Sequence, residues 1–183
     1  MQSKQIVIKD LLLNYYVNIA ADSKPNLVFL HGWGSDSIYW TKIFTPDFLK
    51  KYNIYCLDLP GFAKSQIPNF DLDVSKFGEF VNEFISKLEL KKVILIGHSL
   101  GGRIAIKLAI EGPLHIQKIV LVNAAGIYHT SKTTSLISKV GGVVSPIFKL
   151  GFMQGLRKKI YKILKSEDYL NNPAMRNTFV NVV

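Results

Sequence analysis

The chain has 183 residues, 48% apolar and 20% charged, with 13 glycines, 7 prolines and a single cysteine. Apolar content at this level excludes a disordered chain, and Cys56, with no second cysteine, excludes an internal disulfide framework. The formal net charge of +10 raises nucleic acid or an anionic membrane as partners, but it is unevenly spread: residues 1–130 carry 14 basic and 11 acidic side chains, residues 131–183 carry 9 and 2.

Strand and helix patterns alternate over the first 125 residues. Residues 5–9 and 13–19 read as two strands joined by a tight turn. Residues 26–31 (Asn-Leu-Val-Phe-Leu-His) form a short apolar run that enters a glycine-rich loop, and residues 36–50 have helical character. Residues 53–58 are the next strand, stopped by Pro60-Gly61. Over residues 73–88, Val74, Phe77, Phe80, Val81, Phe84, Ile85 and Leu88 share one face at helical spacing. A strand follows at 92–97, a helix at 100–110 closed by Gly112-Pro113, and a last strand at 116–123. Short, continuously apolar strands separated by helices predict a parallel sheet covered on both faces. From Ser131 no strand pattern returns. The expected organisation is therefore a core over 1–130 and a helical or loop-like segment over 131–183.

No run approaches the ~18 consecutive apolar residues of a membrane-spanning helix. Residues 1–5 lead straight into a strand without an apolar signal core, so the expectation is a cytoplasmic protein. No metal-ligand spacing is present, and no metal or cofactor is expected.

The segment richest in chemistry is Gly97-His98-Ser99-Leu100-Gly101-Gly102. It is Gly-x-Ser-x-Gly between a buried strand and a helix, the context of a nucleophile elbow. A sharp strand-to-helix turn exposes the serine hydroxyl, and only small residues fit two positions before and two after it. A dinucleotide loop is a poorer reading, because Ser99 stands where the second glycine would be; a phosphate-binding P-loop lacks its Gly-Lys-Ser/Thr. The helix that begins after Ser99 aims its dipole and the Leu100 N–H at a developing oxyanion. His31-Gly32-Trp33-Gly34 ends the strand at 26–31, and its loop is placed to supply a second donor, the Trp33 N–H. Gly32, Trp33 and His98 are the candidates for the substrate side. His31 reads as a brace for the loop, His98 also as packing, and Trp40 as core filling.

His31-Gly-Trp-Gly34, Asp58-Leu-Pro-Gly-Phe-Ala-Lys-Ser65 and Gly97-His-Ser-Leu-Gly-Gly102 together resemble the signatures of the α/β-hydrolase superfamily, in its cap-bearing ester-hydrolase branch. The resemblance covers roughly residues 5–130, and Ala63 stands where the family usually has glycine. It implies a doubly wound, mostly parallel α/β sheet. It also implies a small-molecule carboxylic ester of small or medium acyl size as substrate, and Ser99 as nucleophile. A serine there is at odds with the dehalogenase and epoxide-hydrolase branches, which use aspartate, but lipase, thioesterase, carbon–carbon hydrolase and cofactor-free haloperoxidase stay open.

The family order Ser, then Asp or Glu, then His is not completed. After Ser99 the histidines are His115 and His129 and the acids Glu111, Glu167 and Asp168. His115 falls at the wrong end of the sheet from Ser99; His129 follows the last strand and lies nearer the right end, but no suitable acid precedes it, since Glu111 ends the helix after Ser99. The family's two later strands do not appear. The expectation is a fold truncated after its sixth strand and the start of a helical cap, with little hydrolytic turnover. A non-catalytic binding protein on the same scaffold is the alternative. Two further expectations follow. The strand at 116–123 presents an open apolar edge fit for self-association. The amphipathic, basic segment 148–166 reads as a solvated cap helix or, more sharply, as weak contact with an anionic membrane surface. Nucleic acid is not expected, since no binding motif accompanies the charge.

Overall fold

Side chains in a strand alternate faces, and in the central strands of this protein, at 26–30, 53–57 and 93–98, both faces are largely buried. The computed structural model describes residues 1–112, 115–124 and 173–182. It has strands β1 (Gln2–Ile8), β2 (Leu11–Asn18), β3 (Asn26–Leu30), β4 (Asn53–Leu57), β5 (Val93–His98) and β6 (Ile116–Val122). Its helices are α1 (Ile38–Thr41), α2 (Pro46–Lys51), α3 (Val74–Lys87), α4 (Leu100–Glu111) and α5 (Arg176–Val182), the last preceded by a 3₁₀ turn at Pro173–Met175.

The six strands form one sheet in the order β1-β2-β4-β3-β5-β6. β1 pairs antiparallel with β2, and β2 antiparallel with β4; every other pair is parallel. This is the doubly wound, mostly parallel α/β sheet that the alternating pattern predicts. One face of the sheet offers Val28, Leu30, Tyr55, Leu57, Val93 and Leu95 to a core with Phe77, Phe80, Val81 and Phe84 of α3 and Ile104 and Leu108 of α4. The other face offers Leu27, Phe29, Ile54, Cys56 and Ile96 to Trp40, Phe44 and Phe48. Each fully buried Leu or Phe contributes about 2 kcal/mol, so these two layers dominate stability.

The helix expected over 36–50 is two short helices. Proline cannot continue a helix but suits its first turn. Pro46 therefore opens α2, with the Thr45 hydroxyl accepting from the Phe48 N–H at 3.3 Å. β1 starts three residues earlier than its apolar pattern suggests, because pairing runs out to Gln2↔Val17. The hairpin turn is Lys9-Asp10, both in the left-handed region, which suits the twist of a two-residue hairpin.

Two compact units divide the chain: Met1–Ala125 together with Ala174–Val183, and Gly126–Pro173. Within the 131–183 span read from sequence as cap, the last ten residues thus group with the sheet. Met175, Thr178 and Val182 are buried, the Thr178 hydroxyl accepts from Leu72 N–H at 2.9 Å, and the Asn181 amide donates to the Leu72 carbonyl at 3.2 Å. Residues 131–172, including the basic segment 148–166, lie outside the described residues, as does His129.

Candidate functional site

Parallel strands β3, β4 and β5 end at the same side of the sheet, and the loops that follow them converge there. Ser99 joins β5 to α4 with φ 50° and ψ −111°. A helix N-cap ordinarily has extended backbone, and its side chain caps the first turn. Here the positive φ turns the side chain away, and the Ser99 hydroxyl makes no cap hydrogen bond. Ser99 is half-buried, and its hydroxyl has no hydrogen-bond partner among the described residues.

The turn is tight enough to dictate its neighbours. A methyl group on Gly97 would lie 2.2 Å from the Gly101 carbonyl oxygen, and one on Gly101 would lie 2.4 Å from the Leu30 carbonyl oxygen. Both clashes are with backbone, which cannot step aside. The Gly101 N–H donates to the His31 carbonyl at 3.2 Å, so the second donor of α4 is spent on the loop after β3. The Leu100 N–H, one residue earlier, has no acceptor among the described residues.

The loop after β3 lies directly against this turn. A methyl on Gly32 would sit 2.9 Å from His98 Nδ1 and 3.1 Å from Ser99 Cβ. The sequence-derived set Gly32, Trp33, His98, Ser99 and Leu100 therefore falls in two adjoining segments. The Trp33 ring packs edge-on between Phe62 (4.9 Å) and Phe179 of α5 (5.1 Å), and the Trp33 N–H has no acceptor among the described residues. Trp40 is buried on Phe29, with the His98 ring edge-on at 6.4 Å.

His31 is a brace. Its Nε2 accepts from the Leu59 N–H at 3.0 Å, which leaves the proton on Nδ1 to donate to the Gly32 carbonyl at 2.7 Å. Burial pushes its pKa below the ordinary value, against weaker opposing effects that include Asp58; the ring is neutral with both nitrogens occupied. His115 is at the opposite end of the sheet, where its carbonyl accepts from Val93 N–H at the start of β5. Six residues of strand, about 20 Å, separate that point from Ser99. Among the described residues no histidine pairs with a carboxylate, and no cluster of His, Cys, Asp or Glu is arranged to hold a metal ion. The Cys56 thiol is buried, and burial, with the Asp58 charge, pushes its pKa up, so it is no nucleophile.

Sequence reasoning missed one part of this region. Asp58, at the end of β4, is 1% exposed. Its carboxylate accepts from the Ser37 N–H (2.8 Å) and hydroxyl, from the Asn14 side-chain amide (2.8 Å) and from the Lys64 N–H (3.5 Å). The available signal was an acidic residue at the end of an otherwise apolar strand.

A family model described as alpha/beta hydrolase fold matches residues 25–149. The chain belongs to that family. It is 30% identical over 146 residues to the uncharacterized hydrolase YugF of Bacillus subtilis (strain 168), covering 79% of this chain and 52% of that protein. Among solved structures, a hydrolase from Pseudomonas aeruginosa PA01 superposes with a TM-score of 0.67 at 20% identity, over 98% of this chain and 71% of the other, a likeness of fold. A membrane phospholipase A gives a TM-score of 0.66 at 26% identity, over 75% of this chain and 45% of the other. The chain spans about half the length of the curated relatives it matches, or less: 52% of YugF and 31% of a Mycobacterium tuberculosis protein. No helix among the described residues is long and apolar enough to cross a membrane.

Proposed function

We propose that this α/β-hydrolase chain carries the nucleophile and oxyanion-binding half of a serine ester hydrolase. The observation that carries this reading is Ser99 itself. It sits at positive φ between β5 and α4, its hydroxyl unspent on the helix, with Gly32 packed against it. In the proposed reaction the Ser99 Oγ attacks an ester carbonyl of small or medium acyl size, and its proton passes to a base. The carbonyl oxygen gains negative charge in a pocket of N–H donors from Trp33 and Leu100, helped by the α4 dipole. The alcohol leaves, and water later releases the acid. Gly32, Trp33 and His98 border the acyl side. The general base and its orienting acid come from outside the described residues, since His31 is spent on backbone groups, His98 lies against Gly32 and Trp40 with no carboxylate paired to it among those residues, and His115 is at the far end of the sheet. The phospholipase likeness supports an ester substrate without fixing which one.

Acylation and turnover then separate. With p-nitrophenyl butyrate and imidazole as a supplied base, the chain is expected to release about one equivalent of p-nitrophenol quickly and then to turn over slowly, the kinetic mark of an acyl-enzyme. Ser99→Ala removes the fast release. The placement of the described histidines favours a second reading, a binding protein on a hydrolase scaffold. That reading predicts no fast release even with imidazole, and saturable binding of an ester analogue unaffected by Ser99→Ala.

The outer edge of β6 completes the picture of partners. Val120 and Leu121, on opposite faces of that strand, are 46% and 44% exposed, and among the described residues nothing pairs beyond it. We propose that a second copy of the chain associates along this edge.

A further inference from the structure

The loop that bears the Trp33 N–H is held at both ends by the turn that follows β4. At its start, His31 Nε2 accepts from the Leu59 N–H, and His31 Nδ1 donates to the Gly32 carbonyl. At its finish, one oxygen of Asp58 accepts both the N–H and the hydroxyl of Ser37. Between these points the chain makes a single tight turn, with Ser35 N–H donating to the Gly32 carbonyl at 3.3 Å and Gly34 in the left-handed region. Adjacent residues, Asp58 and Leu59, thus fix both ends of a five-residue loop.

The other oxygen of Asp58 is also committed. It accepts from the Asn14 amide, whose own oxygen accepts from the Ser3 hydroxyl. Ser65 closes the network, donating to the Asp58 carbonyl at 2.6 Å and accepting from the Asn14 N–H at 2.9 Å. No cation is ion-paired with Asp58 among the described residues. A buried carboxylate is costly without such compensation, and here four donors from three separate segments supply it. An apolar residue would fill the space at less desolvation cost. A carboxylate is the group able to take two donors from Ser37 on one oxygen while holding β2 and the 58–65 turn with the other.

We propose that Asp58 is a positioning residue: through Ser37 it clamps the far end of the Gly32–Asp36 loop, as His31 clamps the near end, and thereby sets where the Trp33 N–H points relative to Ser99. The inference rests on the reading of Trp33 as an oxyanion donor, and it extends that reading to a residue that touches no substrate. Catalytic geometry tolerates little displacement, so a loop freed at one end places its donor badly even when the sheet is intact.

The network's polarity supplies the test. In Asp58→Asn an amide NH₂ meets the NH₂ of Asn14. In the double variant Asn14→Asp/Asp58→Asn the pair is complementary again, with the introduced amide's oxygen still facing Ser37; only the long contact from the Lys64 N–H at 3.5 Å is not restored. All variants are made in a Trp40→Phe background, so that Trp33 is the sole indole. Three quantities are measured where far-UV circular dichroism is native: acrylamide quenching of Trp33, the rate of Ser99 labelling by a fluorophosphonate with imidazole present, and the denaturant midpoint. Asp58→Asn is expected to raise quenching and to slow labelling by about tenfold or more, and the double variant to recover both. Ser37→Ala, which deletes only the hydroxyl bond, is expected to move both in the same direction by less, and serves if Asp58→Asn does not fold. Lowered stability with Trp33 quenching and labelling unchanged overturns the clamp, as does a double variant that regains stability but not the two loop signals. If the parent chain is never labelled while quenching still follows the polarity of the pair, the clamp stands and the oxyanion reading falls.

Discussion

The N–H of Gly101 donates to the carbonyl of His31 at 3.2 Å, and a methyl on Gly101 would meet the Leu30 carbonyl oxygen at 2.4 Å. The start of α4 and the end of β3 therefore touch backbone to backbone. Gly101→Ala and Gly97→Ala each force a main-chain shift, with an expected loss of about 3 kcal/mol or more. Urea denaturation measures it; a loss within about 1 kcal/mol of zero contradicts the packing described.

Ala63 occupies the left-handed region with φ 49° and is exposed. An L-residue there carries backbone strain. Ala63→Gly is expected to stabilise the fold by about 1 kcal/mol, read as a higher urea midpoint at unchanged slope. A lower midpoint means that the turn after β4 depends on the alanine.

His31 gives the fold a pH dependence of definite sign. Its folded pKa lies below the ordinary value near 6.5, chiefly because burial disfavours the charged ring. The unfolded chain therefore binds a proton at pH values where the folded chain does not. Its contribution is complete above about pH 6.5 and is lost as the pH falls below that, with a slope approaching 1.4 kcal/mol per unit. Stability measured from pH 7.5 to 5 should drop on the acid side, and less steeply in His31→Asn than in the parent. Equal slopes contradict the buried, neutral ring.

Much of the fold is readable from local pattern. The apolar runs that become β3, β4 and β5 are bounded by turn residues, and the face of α3 repeats at helical spacing through Phe77, Phe80, Val81 and Phe84, all buried. The Gly97–Gly102 segment is equally plain, because its small residues answer to local sterics. What the sequence conceals is non-local. Asp58 looks like any acid at a strand end until Ser37, Asn14 and Lys64 converge on it from positions 21, 44 and 6 residues away. Likewise nothing in Arg176–Val182 shows that Thr178 will bond Leu72 across 106 residues. The split of the predicted 36–50 helix was readable, since Thr45-Pro46 is itself a helix-start signal.

Association along β6 has a simple disruption. In an antiparallel pairing of two β6 strands centred on Ile119, Lys118 faces Val120 of the other copy, so no like charges oppose. Leu121→Lys places a charge on each copy's apolar edge, a device that blunts edge pairing. Sedimentation should show the parent chain associating with rising concentration, and Leu121→Lys remaining monomeric. A parent chain monomeric at all concentrations removes the proposal.

The central proposal concerns one oxygen atom, the Ser99 Oγ, as the nucleophile. Its most direct test is to treat the chain with a fluorophosphonate in the presence of imidazole and map the adduct by peptide mass spectrometry. The account predicts a single modification on Ser99, absent from Ser99→Ala. No adduct, or adducts scattered over other serines and tyrosines and unchanged in Ser99→Ala, would contradict it.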